Sequence, residues 1–274
     1  MILKETYRLN NGITIPKLGF GTWQIPNDTV SELVAEAIYT GYTHIDTAAA
    51  YGNEQGVGKG IRKSGADRRE LFLTTKIPAE VKSYQEAKAM IQASLEKLET
   101  EYIDLMLIHA PKPWSEMGNQ EGTRYEEENL AVWKAMEEAY QAGCLRAIGI
   151  SNFNESDLQN ILNHATVKPA VNQIQVNVTY CPLKLISFCQ NLDILVMAYA
   201  PNATGRLVQN PDIAKIAAKY QVSVPQVCIR FCLQLGTLPL PKTTHTEYIH
   251  ENAALDFVLS EEDMNMLKQM NTIV

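Results

Sequence analysis

Four side chains in the first half of the chain could transfer or orient a proton, and they are Asp46, Tyr51, Lys76 and His109. A free tyrosine titrates near about 10, and a lysine ammonium beside it stabilises the phenolate and so lowers the pKa of the phenol. A carboxylate next to that lysine would keep it charged, and an imidazole could hydrogen-bond an oxygen atom at the same place. If the four converge, they are suited to general acid–base catalysis. Taken singly, they have ordinary roles as a turn cap, a loop-packing ring, a solvated cation and a buried imidazole.

Most of these residues stand where an apolar, strand-like run ends. Eight such runs occur along the chain, at 18–21, 43–46, 71–76, 103–109, 147–151, 171–175, 194–199 and 238–242. Polar residues also end, follow or lie within the later runs, at Ser151, Asn152, Gln173, Tyr199 and Lys242. Helical stretches separate the runs, which predicts parallel strands whose carboxyl ends share one face. The polar residues are therefore expected to gather at that face.

A missing motif indicates how the sheet closes. No G-x-G-x-x-G turn follows the first predicted strand, and the glycine-rich stretch at 52–58 has a different spacing. This argues against an open dinucleotide-binding sheet. We predict an α/β fold, a (β/α)8 TIM barrel formed by a single domain over residues 1–274. Asn11-Gly12 between alternating apolar residues predicts a β-hairpin before the barrel.

Helical periodicity and capping residues mark the segments between the strands. Residues 30–38 place their apolar side chains on one face, as do residues 87–98. Ser83 and Glu86 have the spacing of a capping box at the start of the second helix. Ser260 is expected to cap an extra helix near the C-terminus. The longest irregular stretch, 111–126, follows the fourth strand and is expected to shape a ligand site.

The composition limits the partners and the compartment. Hydrophobic residues make up 46% of the 274 residues, and the formal net charge is −7. Nucleic acid and anionic membranes are therefore poor partners. The start of the chain lacks the apolar stretch of a signal peptide, and no run is long enough for a membrane helix. We expect a cytoplasmic protein with five reduced, mostly buried cysteines; Cys228 and Cys232, one helical turn apart, fit packing better than a metal or redox role.

Short motifs, in order along the chain, resemble those of the aldo-keto reductase family. They are Leu18-Gly19-Phe20-Gly21-Thr22-Trp23, His44-Ile45-Asp46-Thr47-Ala48, Tyr51-Gly52-Asn53-Glu54, Thr75-Lys76, Ile103-Asp104-Leu105 with His109, Ile148-Gly149-Ile150-Ser151-Asn152-Phe153, Asn172-Gln173, Pro241-Lys242-Thr243 and Glu251-Asn252. Each motif alone is modest evidence, whereas the full set in this order is specific. The resemblance runs essentially end to end and includes small bacterial members that reduce diketogluconate and similar carbonyls.

The resemblance implies an oxidoreductase that reduces aldehydes and ketones to alcohols by hydride transfer from NADPH. It places a catalytic tetrad on Asp46, Tyr51, Lys76 and His109. Tyr51 would be the general acid, Lys76 would lower its pKa, Asp46 would keep Lys76 charged and oriented, and His109 would orient the carbonyl. NADH is expected to bind more weakly than NADPH, and no metal is implied. A monomer acting on a small-molecule carbonyl is the family-like expectation.

The same resemblance implies where the cofactor and the substrate lie. Ser151, Asn152 and Gln173 are expected to hydrogen-bond the nicotinamide carboxamide, Tyr199 to stack on its ring, and Lys242 to receive the 2′-phosphate. The loop at 200–207 would wrap the pyrophosphate. The complete cofactor set is Gly21, Thr22, Asp46, Ser151, Asn152, Gln173, Tyr199, Ala200, Pro201, Asn202, Thr204, Lys242, Thr243, Thr244, Tyr248, Glu251 and Asn252. The substrate is expected to contact Trp23, Tyr51, His109, Ala110 and Trp114.

The chain departs from the family pattern in ways that affect the ligands. Tyr248 stands where the family usually has an arginine, so the preference for NADPH would depend mainly on Lys242. Ala110 replaces a tryptophan beside the catalytic histidine, which predicts a wider pocket unless Trp114 fills it. The loop at 200–205 lacks the usual leucine–glycine pair. The chain ends at Val274 without the long C-terminal loop of some relatives, so an open pocket is expected.

Other functions stay open at this point. Within the same class, the enzyme could reduce sugar-like dicarbonyls or keto acids. In a different class, the barrel could be a regulatory subunit that keeps the cofactor but has little turnover, which the complete tetrad argues against. A barrel lyase or isomerase using Lys76 as a Schiff base would leave Ser151, Asn152, Gln173 and Tyr199 unexplained.

Overall fold

Strands and helices alternate along the computed structural model, which describes residues 1–119 and 122–273. The strands are β1 Thr6–Arg8, β2 Thr14–Pro16, β3 Phe20–Gly21, β4 His44–Asp46, β5 Phe72–Ile77, β6 Leu105–Ile108, β7 Ile148–Ser151, β8 Val171–Gln175, β9 Leu195–Tyr199 and β10 Leu238–Leu240. The helices are α1 Val30–Thr40, α2 Glu54–Ser64, α3 Tyr84–Leu98, α4 Glu126–Gln141, α5 Glu155–His164, α6 Leu183–Asn191, α7 Pro211–Tyr220, α8 Val224–Gln234, α9 Thr246–Ala253 and α10 Glu261–Gln269. The predicted loop at 111–126 lies partly, and the predicted chain end at Val274 wholly, outside the described residues.

Eight parallel strands, β3 to β10, form the barrel, each paired with the next along the chain. The first and last strands meet where the amides of Gly19 and Gly21 donate to the carbonyls of Pro239 and Pro241, at 3.2 and 3.0 Å. Helices cover the outer face, and α10 is the predicted extra helix. The predicted (β/α)8 barrel is therefore confirmed. All eight predicted runs contain a strand, although most strands are shorter than their runs.

The hairpin β1–β2 closes the amino-terminal end of the barrel. It is antiparallel, with Tyr7 opposite Ile15, and Gly12 adopts a φ of 88° in the turn, a conformation that favours glycine. Leu9 and Ile15 are buried in the inner cluster with residues such as Phe72 at the start of β5. The predicted hairpin is confirmed, and its packing leaves the carboxyl ends of the strands as the face open to ligands.

Two glycines bring α1 and α2 into close contact. A Cβ on Gly60 would lie 2.7 Å from the carbonyl oxygen of Ser31, and one on Gly56 would meet the side chain of Val30 at 2.4 Å. Larger residues at these positions would push the helices apart. The close packing fixes the start of α2, and this start follows the turn that carries Tyr51.

The predicted helix caps form, with one difference in detail. The Ser83 hydroxyl accepts from the amide of Glu86 at 3.3 Å, and the Ser260 hydroxyl accepts from the amide of Asp263 at 3.1 Å. The Glu86 carboxylate, however, accepts from the Ser83 hydroxyl at 2.7 Å. The reciprocal bond to the Ser83 amide that defines a capping box is therefore replaced by a bond between the two side chains.

The cysteines are free thiols, and all except the half-buried Cys144 are buried. Burial raises the pKa of Cys228 to about 12 and also raises that of Cys232 well above its usual value, so both thiols stay protonated and pack as small apolar groups. In the part of the chain that the structure describes, no cluster of His, Cys, Asp and Glu could hold a metal ion. Over the same residues, the helices are too short or too polar to span a membrane.

Candidate active site

The predicted acid–base residues meet at the carboxyl ends of neighbouring strands. Asp46 is the last residue of β4, Lys76 is the fifth of the six residues of β5, and His109 directly follows β6. Because these three strands pair in parallel and in order, their ends lie side by side. Tyr51 comes from the 3-10 turn Ala49–Tyr51, which follows β4.

Asn53 holds the turn that carries Tyr51. The Asn53 side-chain oxygen accepts from the hydroxyl of Thr47 at 2.8 Å, and its amide nitrogen donates to the carbonyls of Thr22 and Ile25, each at 2.9 Å. Both Thr47 and Asn53 are fully buried. These contacts tie the turn to the segment after β3 on one side and to β4 on the other, so the position of the phenol is fixed.

Lys76 connects the carboxylate of Asp46 to the phenol of Tyr51. Its ammonium donates to Asp46 Oδ2 at 2.7 Å, to the Thr47 carbonyl at 2.8 Å and to Tyr51 Oη at 3.4 Å. The Lys76 side chain is fully buried, and the Asp46 side chain is 5% exposed. A buried ammonium is tolerated only when paired and hydrogen-bonded, and here its three donors all have acceptors.

Burial and charge act in opposite directions on the pKa values of this pair. Burial alone would lower the pKa of Lys76, but the Asp46 carboxylate and the phenol raise it overall, so the side chain remains an ammonium. Burial raises the pKa of Tyr51 and outweighs the opposing effect of Lys76. Lys76 thus lowers the phenol pKa as expected, but the net pKa is raised, because the low-dielectric surroundings disfavour the phenolate by more than the ammonium favours it.

His109 lies against Tyr51 and is neutral. The two rings meet edge to face with centroids 5.6 Å apart, and Trp114 packs on the other side with centroids 5.2 Å apart. Burial, assisted by the charge of Lys76, lowers the pKa of His109 to about 3. A neutral imidazole has one donor and one acceptor nitrogen, so it can donate a hydrogen bond to an oxygen without carrying charge.

Trp114, rather than Ala110, forms the wall beside His109. Ala110 has no exposed surface, so the expectation that it lines an open pocket is wrong. Trp114 is 44% exposed while its ring contacts the imidazole, and Trp23 is 46% exposed. The two tryptophans are thus the large apolar side chains available to a ligand near the predicted substrate site.

The residues predicted to hold the nicotinamide form one hydrogen-bonded group with Asp46. Gln173 Nε2 donates to Asp46 Oδ1 at 2.8 Å, and the Ser151 hydroxyl donates to the Gln173 carbonyl at 2.8 Å. The Tyr199 hydroxyl donates to Asn152 Oδ1 at 2.8 Å, and Asn152 donates to Ser151 Oγ at 3.1 Å. The structure therefore brings the ends of β7, β8 and β9 to the same rim as the acid–base residues.

A second group of predicted cofactor residues lies at the junction of β3 and β10. The Thr22 hydroxyl donates to the Asp46 carbonyl at 3.0 Å, and the Gly21 amide donates to the carbonyl of Pro241 at 3.0 Å. This bond places the segment after β10 beside the site. In that segment, Thr243, Ile249 and Asn252 are buried, Glu251 is half-buried, and the predicted residues Lys242, Thr244 and Tyr248 are exposed.

The side chain of Tyr248 is partly covered by a neighbouring aromatic ring. Its ring packs against that of His245 with centroids 5.4 Å apart, and it remains 48% exposed. Partial burial lowers the pKa of Lys242. The hydroxyl of Thr243 accepts from the His245 amide at 3.0 Å. The structure thus places a lysine and an exposed aromatic ring at this end of the rim.

The loop after β9 adopts an uncommon backbone. Ala200, Ala203 and Thr204 have φ values of 52°, 49° and 56°, in the left-handed region that most residues avoid. Pro201 is buried, and the side-chain oxygen of Asn202 is buried without a partner among the described residues. A buried polar atom of this kind is uncommon, and it marks the loop as a place where a donor from a ligand could be accepted.

Some residues that shape the site were not predicted. Asn53 and Thr47 were quoted only as parts of motifs, although their polar side chains next to Tyr51 were a usable signal. Lys82 and Asn129, which contact the segment after His109, had no signal in the sequence.

A parallel barrel with buried acid–base groups at the carboxyl ends of its strands is the architecture of an α/β-barrel enzyme. Comparison with known proteins agrees with this class of enzyme and identifies the family within it. The model of the aldo/keto reductase family matches residues 17–272, and the chain belongs to this family.

Related proteins match over nearly their whole length. The chain is 39% identical over 271 residues to glyoxal reductase of Bacillus subtilis, covering 98% of this chain and 94% of that protein. Among solved structures, an aldo/keto reductase from Brucella melitensis matches with a TM-score of 0.90 and 36% identity, covering 97% of this chain and 99% of that one. The aldo-keto reductase of Bombyx mori in complex with NADP matches with a TM-score of 0.88 and 35% identity, covering 97% and 92%.

Proposed function

We propose that this chain is an NADPH-dependent reductase that converts aldehydes and ketones to alcohols. The observation that carries the proposal is the arrangement of Tyr51, Lys76 and Asp46, in which a neutral phenol lies 3.4 Å from an ammonium that a buried carboxylate holds at 2.7 Å. Neutral His109 lies beside the same phenol. Membership of a family of reductases and the NADP found in the Bombyx mori relative support the same conclusion.

The proton chemistry follows from the protonation states of these groups. When bound, the nicotinamide supplies a hydride to the carbonyl carbon, which leaves negative charge on the carbonyl oxygen. Tyr51 stays protonated because its pKa is raised by burial, so it is ready to donate a proton to that oxygen. The ammonium of Lys76 then stabilises the phenolate that remains. His109 donates a hydrogen bond to the same oxygen and orients the substrate.

The state of Lys76 weighs against a Schiff-base enzyme. An amine must be neutral to attack a carbonyl carbon, whereas the pKa of Lys76 is raised by Asp46 and by the phenol. Its ammonium is also fully buried and uses its three donors on fixed acceptors. Lys76 is therefore suited to hold a charge rather than to form a bond.

The residues at the rim fit a nicotinamide dinucleotide. Asn152 accepts from the hydroxyl of Tyr199, Gln173 lies in the neighbouring strand β8, and the side-chain oxygen of Asn202, in the loop after Tyr199, has no partner among the described residues. Lys242 would pair with the 2′-phosphate as a point charge. NADH, which lacks that phosphate, is expected to bind more weakly.

The substrate is proposed to be a small neutral carbonyl compound, with dicarbonyls such as glyoxal included because the Bacillus subtilis relative carries that activity in its name. Two carboxylates belong to the surroundings of this loop: Glu80 accepts from the backbone amide of Trp114 at 3.4 Å, and Glu116, two residues further along the chain, accepts from Tyr125 at 2.7 Å. Carboxylates at this position disfavour keto acids by charge repulsion. Glyoxal and pyruvate compared at equal concentration test this preference.

Replacing Tyr51 by phenylalanine tests the proposed function. Tyr51→Phe removes the proton donor and keeps the ring that packs against His109, so kcat should fall about 10²- to 10⁴-fold, the usual contribution of a general acid. NADPH consumption with glyoxal measures the rate, and quenching of tryptophan fluorescence measures NADPH binding, which should be unchanged. Tyr39→Phe, at a tyrosine that is 64% exposed on α1, is the matched control. Turnover of Tyr51→Phe equal to that of the control would remove Tyr51 from the mechanism.

A wild-type protein that binds NADPH but consumes none would favour the regulatory barrel instead.

A further inference from the structure

Side chains from outside β6 hold the segment that follows His109. The carbonyl of Ala110 accepts from Lys82 Nζ at 3.2 Å. The carbonyl of Pro111 accepts from Lys82 Nζ at 3.0 Å and from Asn129 Nδ2 at 2.9 Å. Ala110 and Pro111 are buried, and a buried carbonyl needs a donor. Because β6 has ended, these side chains replace the partners that a neighbouring strand would provide.

The ammonium of Lys82 has as many donors as there are oxygen acceptors around it. Its third hydrogen bond goes to Asn129 Oδ1 at 2.8 Å, so the three donors of the ammonium reach three neutral oxygens. Among residues 1–119 and 122–273, no carboxylate forms an ion pair with Lys82. Two of the three hydrogen bonds of Lys82 therefore hold the segment that continues from His109, and the third links the ammonium to Asn129, which binds the same segment.

Lys82 is also poised to lose its proton. Burial lowers its pKa to about 8, against the opposing effect of Glu128 on α4, Glu80 after β5 and Asp157 on α5. The ring of Tyr125 lies 5.6 Å from the ammonium. A neutral amine has two donors instead of three, so deprotonation leaves one of the three oxygens unsatisfied.

We propose that Lys82 is a positioning residue for His109, because its ammonium fixes the two peptide groups that follow the imidazole-bearing residue and so sets the direction in which the imidazole meets a carbonyl substrate. The proposal rests on the proposed carbonyl reduction and assigns to it a residue that lies outside the tetrad. Lys82 contacts neither Tyr51 nor Lys76 in the described hydrogen bonds, and it acts through the backbone alone.

The first test is Lys82→Met, which keeps the length of the side chain and removes its donors. A misplaced catalytic group can cost up to about 100-fold in rate, and we expect kcat/KM with glyoxal to fall by about 10- to 100-fold. Most of the loss should be in kcat, with the dissociation constant of NADPH unchanged. Lys59→Met, at an exposed lysine of α2, is the matched control and should retain wild-type kinetics. Unchanged kcat and KM in folded Lys82→Met would overturn the proposal.

The second test uses pH and does not depend on the stability of Lys82→Met. Wild-type kcat/KM should decline as the pH rises through about 8, where Lys82 loses its proton. Lys82→Arg keeps a charge that does not titrate, so its profile should lack this decline while retaining activity at neutral pH. The same decline in both proteins would refute the assignment to Lys82. If wild-type protein consumes no NADPH at any pH, the proposed function fails, whereas active wild type with unaffected Lys82 variants refutes only the present proposal.

Discussion

Two neutral histidines should make the stability of this protein depend on pH. His44 is fully buried inside the barrel, where its Nε2 lies 2.9 Å from the hydroxyl of Thr74. His109 is 7% exposed. Burial, with a contribution from the charge of Lys76, lowers the pKa of each imidazole to about 3. The perturbation is a decrease of pH from about 8, above both pKa values, to about 5, which lies between the folded value of about 3 and the unfolded value of about 6.5.

The sign and the magnitude follow from proton linkage. Below about pH 6.5 the unfolded chain binds protons that the folded chain does not, so stability is present above this pH and is lost as the pH falls towards about 3. At about pH 5, each histidine favours the unfolded state by roughly 2 kcal/mol, which is RT times the logarithm of the ratio of the two proton-binding polynomials. The two together amount to roughly 4 kcal/mol, a large share of the 5 to 15 kcal/mol typical of folded proteins.

Urea unfolding followed by circular dichroism, at both pH values, measures this effect. The difference in unfolding free energy between the two pH values should be smaller by roughly 2 kcal/mol in His44→Gln than in wild type, because the variant has one fewer imidazole to protonate. Thr74→Val is the matched control, since it removes the partner of His44 but keeps the buried imidazole, and it should retain the full pH difference. If His44→Gln and wild type show the same pH difference, the reasoning about the buried neutral imidazole is refuted.

Two further predictions concern charged residues at the site. Lys76→Met should lower the free energy of unfolding, measured with urea, by about 3 to 5 kcal/mol, because it leaves the Asp46 carboxylate buried without its partner. Adding Asp46→Asn to this variant should recover part of the lost stability. No recovery in the double variant would contradict the pairing of Lys76 with Asp46. Lys242→Met should weaken NADPH binding about tenfold or more, the value of a charged hydrogen bond, and leave NADH binding unchanged. Equal dissociation constants of the two cofactors for wild type, measured by fluorescence titration, would reject the role of Lys242.

The barrel could be predicted from the sequence because its strands are short apolar runs that end in polar residues. Asp46 and His109 illustrate this, since each stands at the point where a buried strand gives way to a loop. The exact ends were less predictable: the run at 103–109 contains only the strand Leu105–Ile108, and Ile103 forms an isolated bridge with Leu145. The register between neighbouring strands, rather than the apolar pattern, decides where pairing stops.

The electrostatics of the site could not be predicted from residue types alone. The sequence places a lysine near Tyr51, which favours a lowered phenol pKa, but the direction depends on how much water reaches the phenol. Burial outweighs the ammonium. In the same way, the sequence left open whether the space beside Ala110 is empty or filled by Trp114, and only the structure shows that Ala110 is buried and that Trp114 covers His109. The first outcome depends on the segments that bury the phenol, and the second on how the loop that follows His109 folds back onto the imidazole.

Asp46 positions two parts of the proposed site, because its two carboxylate oxygens accept hydrogen bonds from different side chains. Oδ2 accepts from Lys76 at 2.7 Å, and Oδ1 accepts from Gln173 at 2.8 Å. One carboxylate thus fixes both the ammonium beside the proton donor and the amide proposed to hold the nicotinamide. A proton and a hydride must reach adjacent atoms of a carbonyl group, so the proton donor and the nicotinamide must be held in a fixed position relative to each other. Loss of the carboxylate should therefore disturb both the proton donor and the binding of the nicotinamide, whereas loss of Tyr51 disturbs the proton donor alone.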